Sequence, residues 1–214
     1  DLRTVLSRAR EQKRNITVVE AASIIVEVCK GLALAHGNIK SESKEILQRD
    51  ISPQNIMLSR TGEVKITDFG IAKLATTAGI TKTGVVKGKT SYMAPEQARS
   101  EKIDSRCDIF AAGCVLWELL SSKRLFAGDS DIAILQKLLH GKIPPPKSPV
   151  EDIPQEVGSI VSRMLERDRE KRYEKAVDVA RDLGQFLSNV PDVDRTAGLV
   201  ALYSEVFKSP KKDT

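Results

Sequence analysis

The chain has 214 residues, 41% hydrophobic and 29% charged, which suits one folded domain of ordinary size with a packed core, so disorder is not the default expectation. Aromatic residues make up only 4%, so the core must be mainly aliphatic. The net charge of +5 allows acidic partners, but acids are interleaved with the bases almost everywhere, so nucleic-acid binding is not expected.

In chain order, Thr17 and Glu20 have the Thr-x-x-Glu spacing of a capping box. Behind them Val18, Ala21, Ala22, Ile25, Val28, Cys29 and Leu32 recur at helical spacing. Residues 38–44 read as a polar loop. Two short strands are expected over 55–58 and 63–67, with Arg60-Thr61-Gly62 as the hairpin turn. Residues 76–89, rich in Thr, Gly and Lys, have no period and read as an exposed loop. An apolar helix over 105–121, buried on most sides, and an amphipathic one over 130–140 come next. Pro144-Pro145-Pro146 is an extended connector, and Pro154 opens a helix at its first position. Residues 176–187 are helical, 190–196 form a polar connector, and 198–207 form a last helix. The predicted class is mainly α with one small β-hairpin.

Cys29, Cys107 and Cys114 are an odd, widely spaced set, which argues against a disulfide framework or a zinc site and suits a reducing cytosol. The longest apolar run, 109–120, contains Glu118 and is too short to span a bilayer. No membrane segment is expected in these residues, and the expected location is cytoplasmic. An anchor elsewhere is left open.

The chemistry is concentrated in Gln48-Arg49-Asp50-Ile51-Ser52-Pro53-Gln54-Asn55, followed by Asp68-Phe69-Gly70 and then Ala94-Pro95-Glu96. Each triplet alone is weak. Three in fixed order, on these elements, are specific. The set resembles the protein-kinase family, whose signature includes H-R-D-L-x-x-x-N, D-F-G and A-P-E. It is most similar to bacterial serine/threonine kinases, and the resemblance implies the helical C-terminal lobe over 1–190. Within that lobe, 48–55 is the catalytic loop and 68–96 the activation segment. Residues 191–214 are a C-terminal extension.

The resemblance implies ATP and Mg2+ as cofactors and a protein hydroxyl as acceptor. Asp50 would accept or orient the hydroxyl proton, while Asn55 and Asp68 would hold magnesium through oxygen, the donor it prefers. The bland reading, in which Asp50 and Asn55 only shape a turn, leaves the other triplets unexplained. Met57 would pack under adenine, or is plain strand core. Asp108 would accept hydrogen bonds from the catalytic-loop backbone. Glu96 and Arg172 would form the buried ion pair that fixes the end of the activation segment. Arg49 marks switching by activation-loop phosphorylation, with Thr81 or Thr83 as the favoured acceptor among Thr76, Thr77, Thr81 and Thr83. The alternative there is a solvated threonine-rich loop.

The sequence departs from the family at two places. Ser52 stands where a lysine is usual, and Lys89 where a threonine is usual, in Gly88-Lys89-Thr90-Ser91-Tyr92-Met93-Ala94-Pro95-Glu96. In the family fold these positions are neighbours, so Lys89 is expected to supply the ammonium that position 52 lacks. The competing reading is one more solvated lysine beside Lys82 and Lys87. Gln48 replaces a histidine that packs on Phe69 of the D-F-G run, which ends at Gly70. His36 reads as a helix-end residue, and His140 as one at a helix C-terminus.

Before Asp50 the only glycines are Gly31 and Gly37, neither in a G-x-G-x-x-G run. The opening Asp1-Leu2-Arg3-Thr4-Val5-Leu6 resembles the helix just after the kinase hinge. The expected partners are therefore ATP, a protein substrate, and an N-terminal kinase lobe supplied in cis or in trans. Without that lobe the fragment is expected to be inactive, and Met57 and Phe69 should mark an exposed apolar face. The alternative function is a catalytically inactive kinase-like scaffold that works by protein–protein binding.

Overall fold

The computed structural model describes residues 1–37, 47–68, 89–191 and 194–208, except the side chain of Lys89. Helix α1, Leu2–Glu11, starts on Asp1, whose carboxylate accepts the Thr4 amide at 2.8 Å. Leu2, Val5, Leu6 and Ala9 fall on one face at helical spacing, and that face is buried. Helix α2, Val18–Gly37, opens with the capping box: the Glu20 amide donates to Thr17 Oγ1 at 3.2 Å, and the Thr17 amide donates to Glu20 Oε2 at 2.9 Å. Arg14 adds two bonds to the same carboxylate, each 2.5 Å long. Thr17→Ala should cost about 1 kcal/mol, as loss of a cap does. Urea denaturation checks this, and a midpoint unchanged from the parent would contradict it.

Strands β1, Ile56–Leu58, and β2, Val64–Ile66, form the antiparallel hairpin, with Ile56 opposite Ile66 and Leu58 opposite Val64. Gly62 in the turn has φ +80°, and a Cβ there would lie 2.9 Å from the Thr196 carbonyl oxygen. Glycine is thus required by both the backbone conformation and the approach of the last helix.

The helical body follows: α3 (Pro95–Ala98), α4 (Arg106–Ser121), α5 (Asp131–His140), α6 (Gln155–Met164), α7 (Ala176–Ser188) and α8 (Arg195–Val206). In α4 every residue from Cys107 to Ser121 is buried, as expected for a helix apolar on nearly all sides. Gly113 lets α6 come close, since a Cβ there would lie 2.9 Å from Met164 Cβ. Helix α2 is the central packing partner, touching α7, α4, α8 and β2.

Two helix starts are capped differently from expectation. Pro154 is the N-cap residue, one place before α6, where its fixed φ suits an extended entry. Helix α8 begins at Arg195, ahead of Gly198, because Asp194 caps it by accepting the Ala197 amide at 2.9 Å. The proline connector is held by Trp117, whose indole N–H donates to the Pro144 carbonyl at 2.9 Å. Leu199, Leu202 and Val206 of α8 lie in the same hydrophobic core as the rest of the chain. Among the described residues no helix is long and apolar enough to cross a membrane. All three cysteines are free and buried, and burial pushes the Cys29 thiol up to about 12, so it behaves as a core residue.

Candidate active site

The described residues just ahead of β1 are held by Asp108, near the start of α4. Its carboxylate is 1% exposed. Oδ2 accepts the Gln48 amide at 3.0 Å and Oδ1 accepts the Arg49 amide at 2.8 Å. His36, at the end of α2, lies with Nε2 2.9 Å from Asp108 Oδ2. One buried carboxylate thus satisfies two loop amides and pairs with an imidazole. Leaving such a charge unpartnered would be far more costly than the bonds themselves.

Arg49 has φ +56°, a left-handed conformation that side chains seldom adopt. Asp68 has φ +54°. Such strain persists only where surrounding bonds over-determine it, and it clusters at functional sites. Here the bonds are visible. Asn55 Nδ2 donates to the Asp50 carbonyl at 2.8 Å. The Thr67 amide donates to the Asn55 carbonyl at 2.9 Å. Gln48 Nε2 donates to the carbonyls of Thr67, at 2.8 Å, and of Asp68, at 3.0 Å. The backbones of Asp50, Asn55 and Asp68 are therefore stitched together by the loop's own amides. Gln48 does this bridging with a flexible amide at the position where the family has an aromatic ring.

The donor set fits a hard cation. Asn55 is 7% exposed and spends its amide nitrogen on Asp50, which turns its acceptor oxygen to the other side. An amide oxygen and the Asp68 carboxylate are the oxygen ligands Mg2+ takes, with phosphates and waters completing the shell. Among the described residues there is no group of three or more His, Cys, Asp or Glu side chains able to hold a metal by itself. Met57, on β1, is 41% exposed, whereas its neighbours Ile56 and Leu58 are buried. This places its thioether on the open face of the hairpin.

Glu96 and Arg172 meet in the interior. Arg172 Nη1 donates to Glu96 Oε1 at 2.8 Å and Nη2 to Oε2 at 3.1 Å, a bidentate pair. Arg172 also donates to the carbonyls of Arg106, at 2.7 Å, and Glu166, at 3.0 Å, and its guanidinium lies 5.0 Å from the Phe110 ring centroid. Gln97, one residue on, accepts the Ala94 amide at 2.8 Å and donates to the Arg49 carbonyl at 3.3 Å. Helix α3 is thereby tied to the residue preceding Asp50. Ser52 is buried, with its hydroxyl 3.4 Å from Gln54 Oε1. Lys89 begins a 3-10 turn, Lys89–Tyr92, and its side chain lies outside the described atoms. Phe69, Gly70, Thr76, Thr77, Thr81 and Thr83 lie outside the described residues.

Sequence reasoning missed three participants. His36 was read only as a helix-end residue, yet it pairs with Asp108. Gln97 is not singled out by the sequence, and Glu118 only as the acid within an apolar run. The signals were available, in the glutamine three residues after Ala94 and in the lone acid of the apolar run 109–120.

A family model described as the protein kinase domain matches residues 1–182. The tyrosine-protein kinase MasK of Myxococcus xanthus (strain DK1622) is 39% identical over 190 residues, covering 88% of this chain and 29% of that protein. The serine/threonine-protein kinase PknB of Mycobacterium leprae (strain TN) is 35% identical over 203 residues, covering 91% of this chain and 32% of that protein. The PknB of Mycobacterium tuberculosis (strain ATCC 25618 / H37Rv) is 34% identical over 208 residues, covering 92% of this chain and 32% of that protein. The chain thus spans about three tenths of the length of these curated relatives.

Proposed function

Because the chain belongs to the protein kinase family, with relatives among bacterial kinases, we propose that it forms the catalytic large-lobe part of an enzyme. That enzyme moves the ATP γ-phosphoryl group to a serine or threonine hydroxyl of a protein. The observation that carries this reading is the stitched loop. Asp108 holds the Gln48 and Arg49 amides, Asn55 holds the Asp50 carbonyl, and Thr67 holds Asn55. Phosphoryl transfer asks the protein mainly for positioning and charge stabilisation, so a rigid cradle for one carboxylate is what the chemistry needs.

In this reading Asp50 orients the acceptor hydroxyl and takes up its proton. Asn55 and Asp68 hold Mg2+, which screens the phosphate charge when ATP is bound. Met57 offers an apolar surface to the adenine, and Glu96 with Arg172 fixes the end of the activation segment. Lys89 supplies the cation missing at Ser52. Arg49 receives a phosphorylated Thr81 or Thr83, in a cytoplasmic enzyme whose C-terminal lobe is residues 1–190, with 191–214 as an extension.

The 214 residues hold no glycine-rich run before Asp50, so the lysine and loop that clamp ATP must come from another segment, in cis or in trans. A polypeptide containing these residues together with such a segment should transfer labelled phosphate from Mg-ATP to a protein acceptor. The isolated 214 residues should show no more than a trace. A folded, complete polypeptide with no transfer at all would favour the scaffold reading instead. The likeness to MasK supports a second reading, with tyrosine as acceptor, and phosphoamino-acid analysis of the product separates the two. In the same assay Lys89→Ala should lower turnover well beyond Lys87→Ala, and equal effects would remove the role given to Lys89.

A further inference from the structure

A second cluster of buried charge sits where α1, α4 and the Lys89–Tyr92 turn meet. At its centre is Glu118 of α4, whose side chain is fully buried. Its Oε1 accepts from Arg3 Nη1 at 2.7 Å and from Arg10 Nη2 at 3.3 Å. Its Oε2 accepts the Tyr92 hydroxyl, and Arg3 Nη2 donates to that same hydroxyl. The neighbours of Glu118 on α4 include Val115, Leu116, Trp117, Leu119 and Leu120, all buried. A carboxylate in that company adds nothing to packing and has to be neutralised by two arginines, so its presence calls for a reason other than stability.

The reason is legible in what the cluster holds. Arg3 Nε is buried without a partner, so the guanidinium is turned to serve Tyr92 and Glu118 at the expense of its own third donor. Helix α1 does not need Arg3 to stay in place, because Leu2, Val5, Leu6 and Ala9 already bury its inner face. Tyr92 ends the 3-10 turn, which is closed by the Met93 amide on the Thr90 carbonyl and held from α5 by Thr90 Oγ1 on Asp131 Oδ1 at 3.0 Å. Helix α3 begins three residues later and reaches the Arg49 carbonyl through Gln97. A continuous set of bonds thus leads from α1 through Tyr92 to the backbone beside Asp50.

We propose that Arg3 is a positioning residue for the protein substrate: through Glu118 and Tyr92 it sets the Lys89–Tyr92 turn beside the acceptor hydroxyl. The proposal rests on the kinase reading above. It assigns Arg3 an effect on the protein acceptor and none on ATP.

The test uses the complete kinase polypeptide. Arg3→Met should raise KM for the protein acceptor about tenfold or more, the scale of losing a hydrogen bond to a charged group, and leave KM for ATP within about twofold. Tyr92→Phe should act in the same direction. The double variant should be little worse than the larger single, because the two groups share one interaction. If Arg3→Met does not fold, Arg3→Lys keeps a charge beside Glu118 but lacks the planar fork, and the same KM shift is expected.

Hydrogen exchange gives a readout independent of activity. Residues 89–98 should exchange faster in the variant while the core of α4 does not. A fall in melting temperature with both KM values unchanged, or exchange raised throughout the chain, would overturn the proposal. If the parent enzyme transfers no phosphate, the kinase reading falls, and the exchange pattern alone then decides whether Arg3 controls the turn.

Discussion

Asp50→Asn in the complete kinase should lower kcat by roughly a thousandfold while leaving KM for ATP nearly unchanged. General-base assistance is worth about 10²–10⁴ in rate, and an amide of the same shape can neither take up a proton nor carry the negative charge that orients the acceptor hydroxyl. The backbone around Asp50 should stay in place, because side chains elsewhere hold it. Asn55 bonds the Asp50 carbonyl, and Asp108 bonds the amides of Gln48 and Arg49. Kinetics with saturating Mg-ATP and varied protein acceptor, alongside a melting curve, give the answer. A loss of less than tenfold with an unchanged fold would remove Asp50 from the central role.

Glu96→Gln and Arg172→Met should each destabilise the domain by about 3–5 kcal/mol, the usual result of breaking a buried ion pair from one side. Both side chains are almost fully buried, at 3% and 0% exposure, so the survivor keeps an uncompensated charge in the interior. Arg172→Met should be the worse of the two, since it also strips the carbonyls of Arg106 and Glu166 of a donor. At about 2–4 °C per kcal/mol for a domain of this size, the melting temperature should fall by roughly 10 °C. The double variant Glu96→Leu/Arg172→Met should recover part of the loss, because no lone charge remains. Thermal and urea unfolding of the three variants test this, and a single-variant loss under about 1 kcal/mol would contradict it.

Much of the fold was legible because it is written in local pattern. The capping box at Thr17 and Glu20 set the start of α2 as expected, the period of Val18, Ala21, Ile25 and Leu32 showed its buried face, and the turn 60–62 located the hairpin. The end effects were less legible. Asp194 draws the start of α8 back to Arg195, and Pro154 takes the cap of α6, since caps are decided by single side-chain bonds that propensity does not resolve. For the candidate site, the catalytic-loop, D-F-G and A-P-E strings could be seen as a resemblance. The groups that hold them could not. His36 reaches Asp108 across 72 positions, Arg3 reaches Glu118 across 115, and nothing in either local sequence names its partner.

What the sequence determined by itself is a set of local commitments: which segments are helical, where the 60–62 turn joins two strands, and which stretches carry clustered acid and amide side chains. These follow from periodicity, caps and residue type, all of which act over a few neighbours. Only the tertiary structure decided which buried charges would face one another, that Gly62 must admit the Thr196 carbonyl, and that Arg49 and Asp68 would be held in left-handed backbone. Those outcomes depend on burial. A carboxylate such as Asp108 or Glu118 is stable in the interior only once distant donors have been carried to it, and that requires the whole core to have closed.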